Sequence, residues 1–193
     1  MLPKLIAITG GIGTGKSVVS RCLRTMGWPV YDCDLRTKQL MNHHPILRAA
    51  LAEAFGMETY LPDGSLNRPY LAQRIFSDST MLQKMNALVH PYTLQDLQLW
   101  HAEQNTSVAF YESAILFESG FNRHADAIWC VSAPLQLRIE RIALRDHSTP
   151  QQILARIESQ MPQEEKEKMS DIVIINDAEH SIIEQLNSLL KSL

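Results

Sequence analysis

The chain has 193 residues, 45% of them hydrophobic and 20% charged, a balance that suits one compact domain with a sizeable core and excludes a disordered or fibrous chain. Its formal net charge of −3 gives no bulk attraction to nucleic acid or to an anionic membrane, so any basic site has to be a local cluster. Cys22, Cys33 and Cys130 are widely spaced and form no CxxC pair, which points away from a disulfide framework or a zinc site and towards a reducing cytoplasm.

Met1-Leu2-Pro3-Lys4 runs into strand-like sequence without the apolar stretch of a signal peptide, and no apolar run reaches the roughly 18 residues of a membrane span. A cytoplasmic protein with no membrane partner is expected. Leu5-Ile6-Ala7-Ile8 is a short continuous apolar run, the pattern of a strand buried on both faces of a parallel sheet. From Lys16 to Met26, Val18, Val19, Cys22, Leu23 and Met26 recur at helical spacing, and Gly27 is placed to end that helix before a second strand at Pro29-Val30-Tyr31.

Residues from about 35 to 105 read as an inserted helical subdomain, broken by the turn Leu61-Pro62-Asp63-Gly64 and restarted at Pro69 and Pro91, both suited to a first helical turn. Strand character returns at Val108–Tyr111, Ala127–Val131 and Ile172–Ile175. The charged stretch from about 138 to 169, with Pro150 opening one helix and Pro162 preceding another, reads as a lid. The core is then about 1–34, 106–137 and 170–193, and the fold class is α/β: three αβα layers around a parallel central sheet, with the helical insertion and the helical lid attached.

Gly10-Gly11-Ile12-Gly13-Thr14-Gly15-Lys16-Ser17 matches G-x-x-x-x-G-K-[ST] between a strand and a helix, the context that makes this motif a P-loop. Its glycines let successive N–H groups, here from Gly11, Ile12, Gly13, Thr14 and Gly15 onward, converge on phosphate at a helix N-terminus. Lys16 is placed for the β and γ phosphates of a nucleotide and the Ser17 hydroxyl for Mg²⁺, with helix capping as the alternative for Ser17.

The GTPase patterns N-K-x-D and D-x-x-G do not occur in the chain. A small-molecule kinase remains, which needs a group to orient or deprotonate the attacking hydroxyl and cations for the transferring phosphoryl. Asp32 and Asp34 follow the second strand, where ligands of open α/β sheets bind; a loop role for Asp32 and an N-cap for Asp34 are the alternatives. Arg138, Arg141 and Arg145 share one helical face, suited either to clamping a polyphosphate or to a solvated face with salt bridges.

These residues together resemble the bacterial dephospho-CoA kinase family along nearly the whole chain. The resemblance rests on Ile8–Ser17, Asp32-Cys33-Asp34, Phe55-Gly56, Asp63-Gly64, Leu66-Asn67-Arg68, His90-Pro91 and Ile115-Leu116-Phe117-Glu118, then on Arg141 with Arg145, and on Gln160, Asp171 and Asn176. It implies phosphoryl transfer from ATP to the ribose 3′-hydroxyl of dephospho-CoA, with Asp34 as base or orienting group, Asp32 near the metal and acceptor, Lys16 on the phosphates, and Arg141 and Arg145 closing over ATP.

On the acceptor side the resemblance implies Arg68, His90 and Phe117. Read as residues alone, Arg68 is equally a surface arginine, His90 a structural histidine ahead of a helix-starting proline, and Phe117 a core residue. Ala114, Lys38 and Arg138 depart from the family pattern of proline, arginine and glutamine, and Cys33 stands where alanine is usual. The partners expected are ATP, dephospho-CoA and Mg²⁺, with no nucleic acid, for a monomer or weak homo-oligomer. A kinase of a nucleoside monophosphate or sugar acid, and a non-catalytic nucleotide-binding module, are the rival readings.

Overall fold

The structure is a computed structural model that describes residues 2–76 and 78–193; Met1 of the N-terminal reading lies outside them. The chain divides into two compact units, residues 1–32 with 101–193, and residues 33–100.

The first unit is built on five parallel strands: β1 (Lys4–Thr9), β2 (Val30–Asp32), β3 (Val108–Glu112), β4 (Ala127–Ser132) and β5 (Ile172–Ile175). Their order across the sheet is β2-β3-β1-β4-β5. β1 pairs with β3 through Lys4↔Val108 to Ile8↔Glu112 and with β4 through Ile6↔Ala127 to Thr9↔Cys130. β1 is therefore covered on both edges and both faces, which is why its sequence is continuously apolar instead of alternating. From β1 the chain crosses to β2 on one side, returns to β3, and then passes β1 to reach β4 on the other side, so the loop after β1 opens where the strand order reverses, where open α/β sheets bind ligands.

One face of the sheet, with Ile6, Ile8, Phe110, Trp129, Val131 and Ile174, packs against Val19 and Leu23 of α1 (Lys16–Thr25) and Leu186 of α9 (Ile182–Leu190), all 5% exposed or less. Phe110 and Trp129 meet at 5.3 Å between ring centroids. The helices α6 (Leu135–Asp146), α7 (Pro150–Glu158) and α8 (Gln163–Lys168) belong to this unit. Thr149 caps α7 in a reciprocal capping box with Gln152, and Pro150 takes its first turn as the sequence predicts.

The second unit holds α2 (Cys33–His43), α3 (Pro45–Phe55), α4 (Arg68–Phe76) and α5 (Ser79–Ala102, whose last two residues fall in the first unit). Its core is Leu47, Leu51, Phe55, Leu71, Met85 and Val89. The Asp63-Gly64 turn closes with Gly64 N–H donating to Leu61 O at 2.8 Å and Ser65 N–H to the Asp63 carboxylate at 2.9 Å. Pro91 does not restart a helix: it lies inside the 24-residue α5. Burial of Met85, Val89, Thr93 and Leu97 at 0–6% exposure on one stripe holds the helix through the one backbone hydrogen bond that proline removes. Among the described residues no helix is long and apolar enough to cross a membrane.

Candidate functional site

Between Thr9, which ends β1, and Lys16, which begins α1, the chain turns through Gly10–Gly15. Gly15 has φ 94°, and a Cβ there would stand 2.0 Å from Nδ2 of Asn176; at Gly10 a Cβ would stand 2.4 Å from Val131 O. The loop can lie this close to its surroundings only because both positions lack side chains. Gly15→Ala combines a left-handed backbone with that clash, so it is expected to raise KM for ATP about tenfold or more, checked by steady-state kinetics with the acceptor saturating.

Inside the loop, Gly11 O gathers three donors: Thr14 Oγ1 at 2.9 Å, Thr14 N–H at 3.3 Å and Lys16 Nζ at 3.3 Å. Lys16 is 8% exposed and Thr14 fully buried, so the lysine lies along the loop with its ammonium held at the loop's own backbone. Ser17, in the first turn of α1, is exposed. The loop thus presents N–H groups, one buried cation and one hydroxyl at a helix N-terminus, which is the donor set a nucleoside polyphosphate requires.

Side chains from α6 and the turn after β5 hold the loop's carbonyls. Arg138 Nε donates to Ile12 O at 3.0 Å, Arg141 Nη1 to Gly13 O at 3.5 Å, and Asn176 Nδ2 to Thr14 O at 2.8 Å. Arg141 Nη2 also donates to Asn176 Oδ1 at 3.2 Å. On the other side of the loop, Gln163 Oε1 accepts from Gly11 N–H at 2.8 Å and Gln160 Oε1 from Ile12 N–H at 2.9 Å. Arg138 is 5% exposed, and burial lowers its guanidinium pKa. Beside these side chains lies a cleft of about 730 Å³, lined by Arg138, Gln160, Gln163, Ile175 and Asp177 among others and by no residue of the P-loop itself.

Of the three arginines on the α6 face, the structure brings Arg138 and Arg141 to the P-loop. Arg145 instead forks onto Asp146, Nε to Oδ1 at 2.7 Å and Nη2 to Oδ2 at 3.0 Å. Asp146 also takes Arg156 at 2.6 Å, and these two guanidinium groups hold its carboxyl far below the usual range. Asp32 is the half-buried last residue of β2, in register with Glu112. Phe117 is half-buried in the turn after β3, beside fully buried Leu116.

In the helical unit, Asp34 is exposed within the first turn of α2, not ahead of it as an N-cap would be. Arg68 is the exposed first residue of α4. His90 is half-buried in the middle of α5, where burial pushes its imidazole pKa down. Its position inside a continuous helix replaces the expectation of a histidine before a helix start.

The turn after β5 adds a group that pattern reading passed over. Asp177 accepts from the N–H groups of Glu179 and His180 at 3.0 Å each and from His180 Nδ1 at 2.8 Å. The two backbone donors in particular lower its carboxyl from the ordinary 3.8 to about 2. A depressed folded-state pKa contributes stability that is present above the unfolded value and lost as pH falls through the folded one. The melting-temperature gap between the parent chain and Asp177→Ala is therefore expected to be constant above about pH 5 and to close between pH 4 and 2, read by circular dichroism across that range.

Gln163 carried no signal, because Gln163–Lys168 reads as a solvated charged run. Gln160 and Asn176 were visible only as members of a family-like order of residues. Among the described residues no group of three or more His, Cys, Asp or Glu side chains is arranged to hold a metal ion by itself.

The chain is similar to known proteins along nearly its whole length. The dephospho-CoA kinase family model matches residues 4–181. A dephospho-CoA kinase of Bacteroides fragilis is 42% identical over 186 residues, covering 96% of this chain and 90% of that protein. One from Porphyromonas gingivalis is 40% identical over 188 residues, covering 97% and 93%. A crystal structure from Thermus thermophilus superposes with a TM-score of 0.86 at 33% identity, covering 100% of this chain and 99% of that one.

Proposed function

The chain belongs to the dephospho-CoA kinase family, and on that premise we propose how its residues carry phosphoryl transfer from ATP to the ribose 3′-hydroxyl of dephospho-CoA, the step that completes coenzyme A. The observation that carries this reading is the P-loop between β1 and α1, with buried Lys16 and the Arg138–Arg141–Asn176 contacts around it.

Phosphoryl transfer has a loose transition state with charge spread over the equatorial oxygens, so the protein acts mainly by positioning and by placing fixed positive charge. The N–H groups of Gly13, Gly15 and the first turn of α1 hold the phosphates, while those of Gly11 and Ile12 donate to Gln163 and Gln160. Lys16 meets the developing charge on the γ-phosphoryl, and Arg141, already beside Gly13, needs only a side-chain movement to do the same. Arg145 joins them when its fork on Asp146 opens.

Ser17 fits Mg²⁺, because one exposed hydroxyl beside phosphate oxygens suits an ion that keeps several waters and binds mainly through substrate phosphates. A bound Mg²⁺ would supply charge neutralisation to the phosphates. Asp34 accepts the proton of the 3′-hydroxyl, Asp32 orients the metal and acceptor, and Arg68, His90 and Phe117 contact the acceptor. With three free cysteines and two metabolites as partners, the enzyme works in the cytoplasm as a monomer or weak homo-oligomer.

The test is ADP release with ATP and Mg²⁺, comparing dephospho-CoA with AMP, CMP and no acceptor. Stimulation by dephospho-CoA alone is the expected result. Stimulation by a nucleoside monophosphate would transfer the reading to another small-molecule kinase, and no stimulation by any acceptor would leave a nucleotide-binding module.

A further inference from the structure

α8 is six residues long, Gln163-Glu164-Glu165-Lys166-Glu167-Lys168, and a helix this short and this charged has no stability of its own in water. What fixes it is Lys166, which is fully buried despite its charge. Its Nζ donates to Ala114 O at 2.7 Å and to Glu118 Oε1 at 2.8 Å. The same Glu118 oxygen accepts from Met161 N–H at 2.9 Å. Glu118 therefore ties both the start of the segment, at Met161, and its helix, at Lys166, to the turn after β3.

The same segment also meets the P-loop. Gln160 and Gln163 accept from the N–H groups of Ile12 and Gly11, and Gln163 Nε2 donates to Val131 O at 3.2 Å and to Glu167 Oε1 at 2.8 Å. Lys166 and Gln163 are three residues apart and so share a helical face.

Burying the Lys166 ammonium is a poor way to gain stability, since its desolvation offsets most of the attraction to the more exposed Glu118 carboxylate. A directional pair that sets the position of a short helix is a better account of it. We propose that Lys166 and Glu118 form a positioning pair for the phosphoryl donor site. The pair holds residues 160–167 so that the two glutamine amides fix the Gly11-Ile12 half of the P-loop in its ATP-binding shape. Lys166 and Glu118 touch neither substrate in this account and act through Gln160 and Gln163. The inference rests on the kinase reading above for the identity of the donor site.

The test measures ATP affinity by calorimetry without acceptor, and then kcat and both KM values, for Gln163→Leu and for Lys166→Met, Lys166→Arg and Glu118→Gln, these last three each alone and in combination with Gln163→Leu. Lys166→Met is expected to weaken ATP binding about tenfold while changing the acceptor KM less than about twofold. Lys166→Arg is expected to recover part of the loss. The combination with Gln163→Leu is expected to lose little more than either change alone, because both remove the same contact. Should Lys166→Met fail to fold, Glu118→Gln with Gln163→Leu decides by the same two readings.

Unchanged ATP affinity, additive losses, or an equal rise in both KM values accompanied by a fall in melting temperature would overturn the proposal. Because ATP binding is read without acceptor, a wild-type enzyme that ignores dephospho-CoA would sink the substrate assignment and leave this test standing.

Discussion

Lys16→Ala is expected to lower kcat/KM by roughly 10³-fold while leaving the melting temperature within a few degrees of the parent. The activity loss follows from the role of a fixed cation at a transferring phosphoryl group, where water supplies no pre-oriented substitute. The small stability change follows from the loop geometry. Lys16 is only one of three donors to Gly11 O, and Thr14 satisfies that carbonyl through both its hydroxyl and its N–H. Removing the lysine therefore does not orphan the Gly11 carbonyl, and an orphaned buried acceptor is the usual source of a large penalty. Steady-state kinetics and thermal unfolding of the same preparation decide the matter. A drop of more than about ten degrees in melting temperature with a comparable loss of ATP binding would make Lys16 a structural lysine.

The difference between Arg141 and Arg145 shows how far a periodic pattern reaches. Spacing alone places both on one face of α6, and the structure agrees that they lie one turn apart. What spacing omits is competition: Asp146, one residue on, offers Arg145 a bidentate partner at 2.7 and 3.0 Å. Arg141 has Asn176 and the Gly13 carbonyl within reach instead. The partner that decides each case is 1 residue away for Arg145 and 35 for Arg141, and only the nearer one is visible in a helical window.

The same distinction explains what was legible in the fold. β1, β5 and α1 were readable because their signals are local: short apolar runs, a 3.6-residue repeat and a glycine at φ 89° after the helix. The P-loop was readable because strand, glycines, lysine and helix follow one another without interruption. Pro91 misled because its local effect, one lost hydrogen bond, is outweighed by burial of a stripe whose partners, such as Leu47, Leu51 and Phe55, lie some 40 residues earlier in the chain. Gln160 and Gln163 meet the P-loop across 148 and 152 residues, so nothing in their neighbourhood marks them. Lys166 was hidden for a further reason: a lysine among glutamates is ordinarily solvated, and its complete burial depends on a carboxylate 48 residues back.

A related consequence concerns the central strand. Because β1 lies between β3 and β4, the loop that follows it can be contacted by residues from the ends of several elements at once: Arg138 and Arg141 from α6, Gln163 from α8 and Asn176 after β5. A P-loop at the sheet's edge would lack half of these neighbours. The strand order thus converts an eight-residue local motif into a site whose geometry is fixed from three other places in the sequence.

Asp34→Asn is the change expected to separate binding from turnover. The amide keeps the shape of the carboxylate but cannot accept the hydroxyl proton, so kcat is expected to fall by about 10²-fold to 10⁴-fold with ATP affinity unchanged. Asp34 is exposed in the first turn of α2, and the amide has the size of the carboxylate, so the melting temperature is expected to move by no more than a degree or two. Asp32→Asn provides the contrast: Asp32 is half-buried at the end of β2, and an orienting role there predicts a raised requirement for Mg²⁺ together with a smaller loss of kcat. The two variants are compared by single-turnover ADP formation over a Mg²⁺ titration. If excess Mg²⁺ restores Asp34→Asn, its carboxylate acts on the metal and not on the proton; if Asp32→Asn loses more turnover than Asp34→Asn at saturating Mg²⁺, the two carboxylates exchange roles.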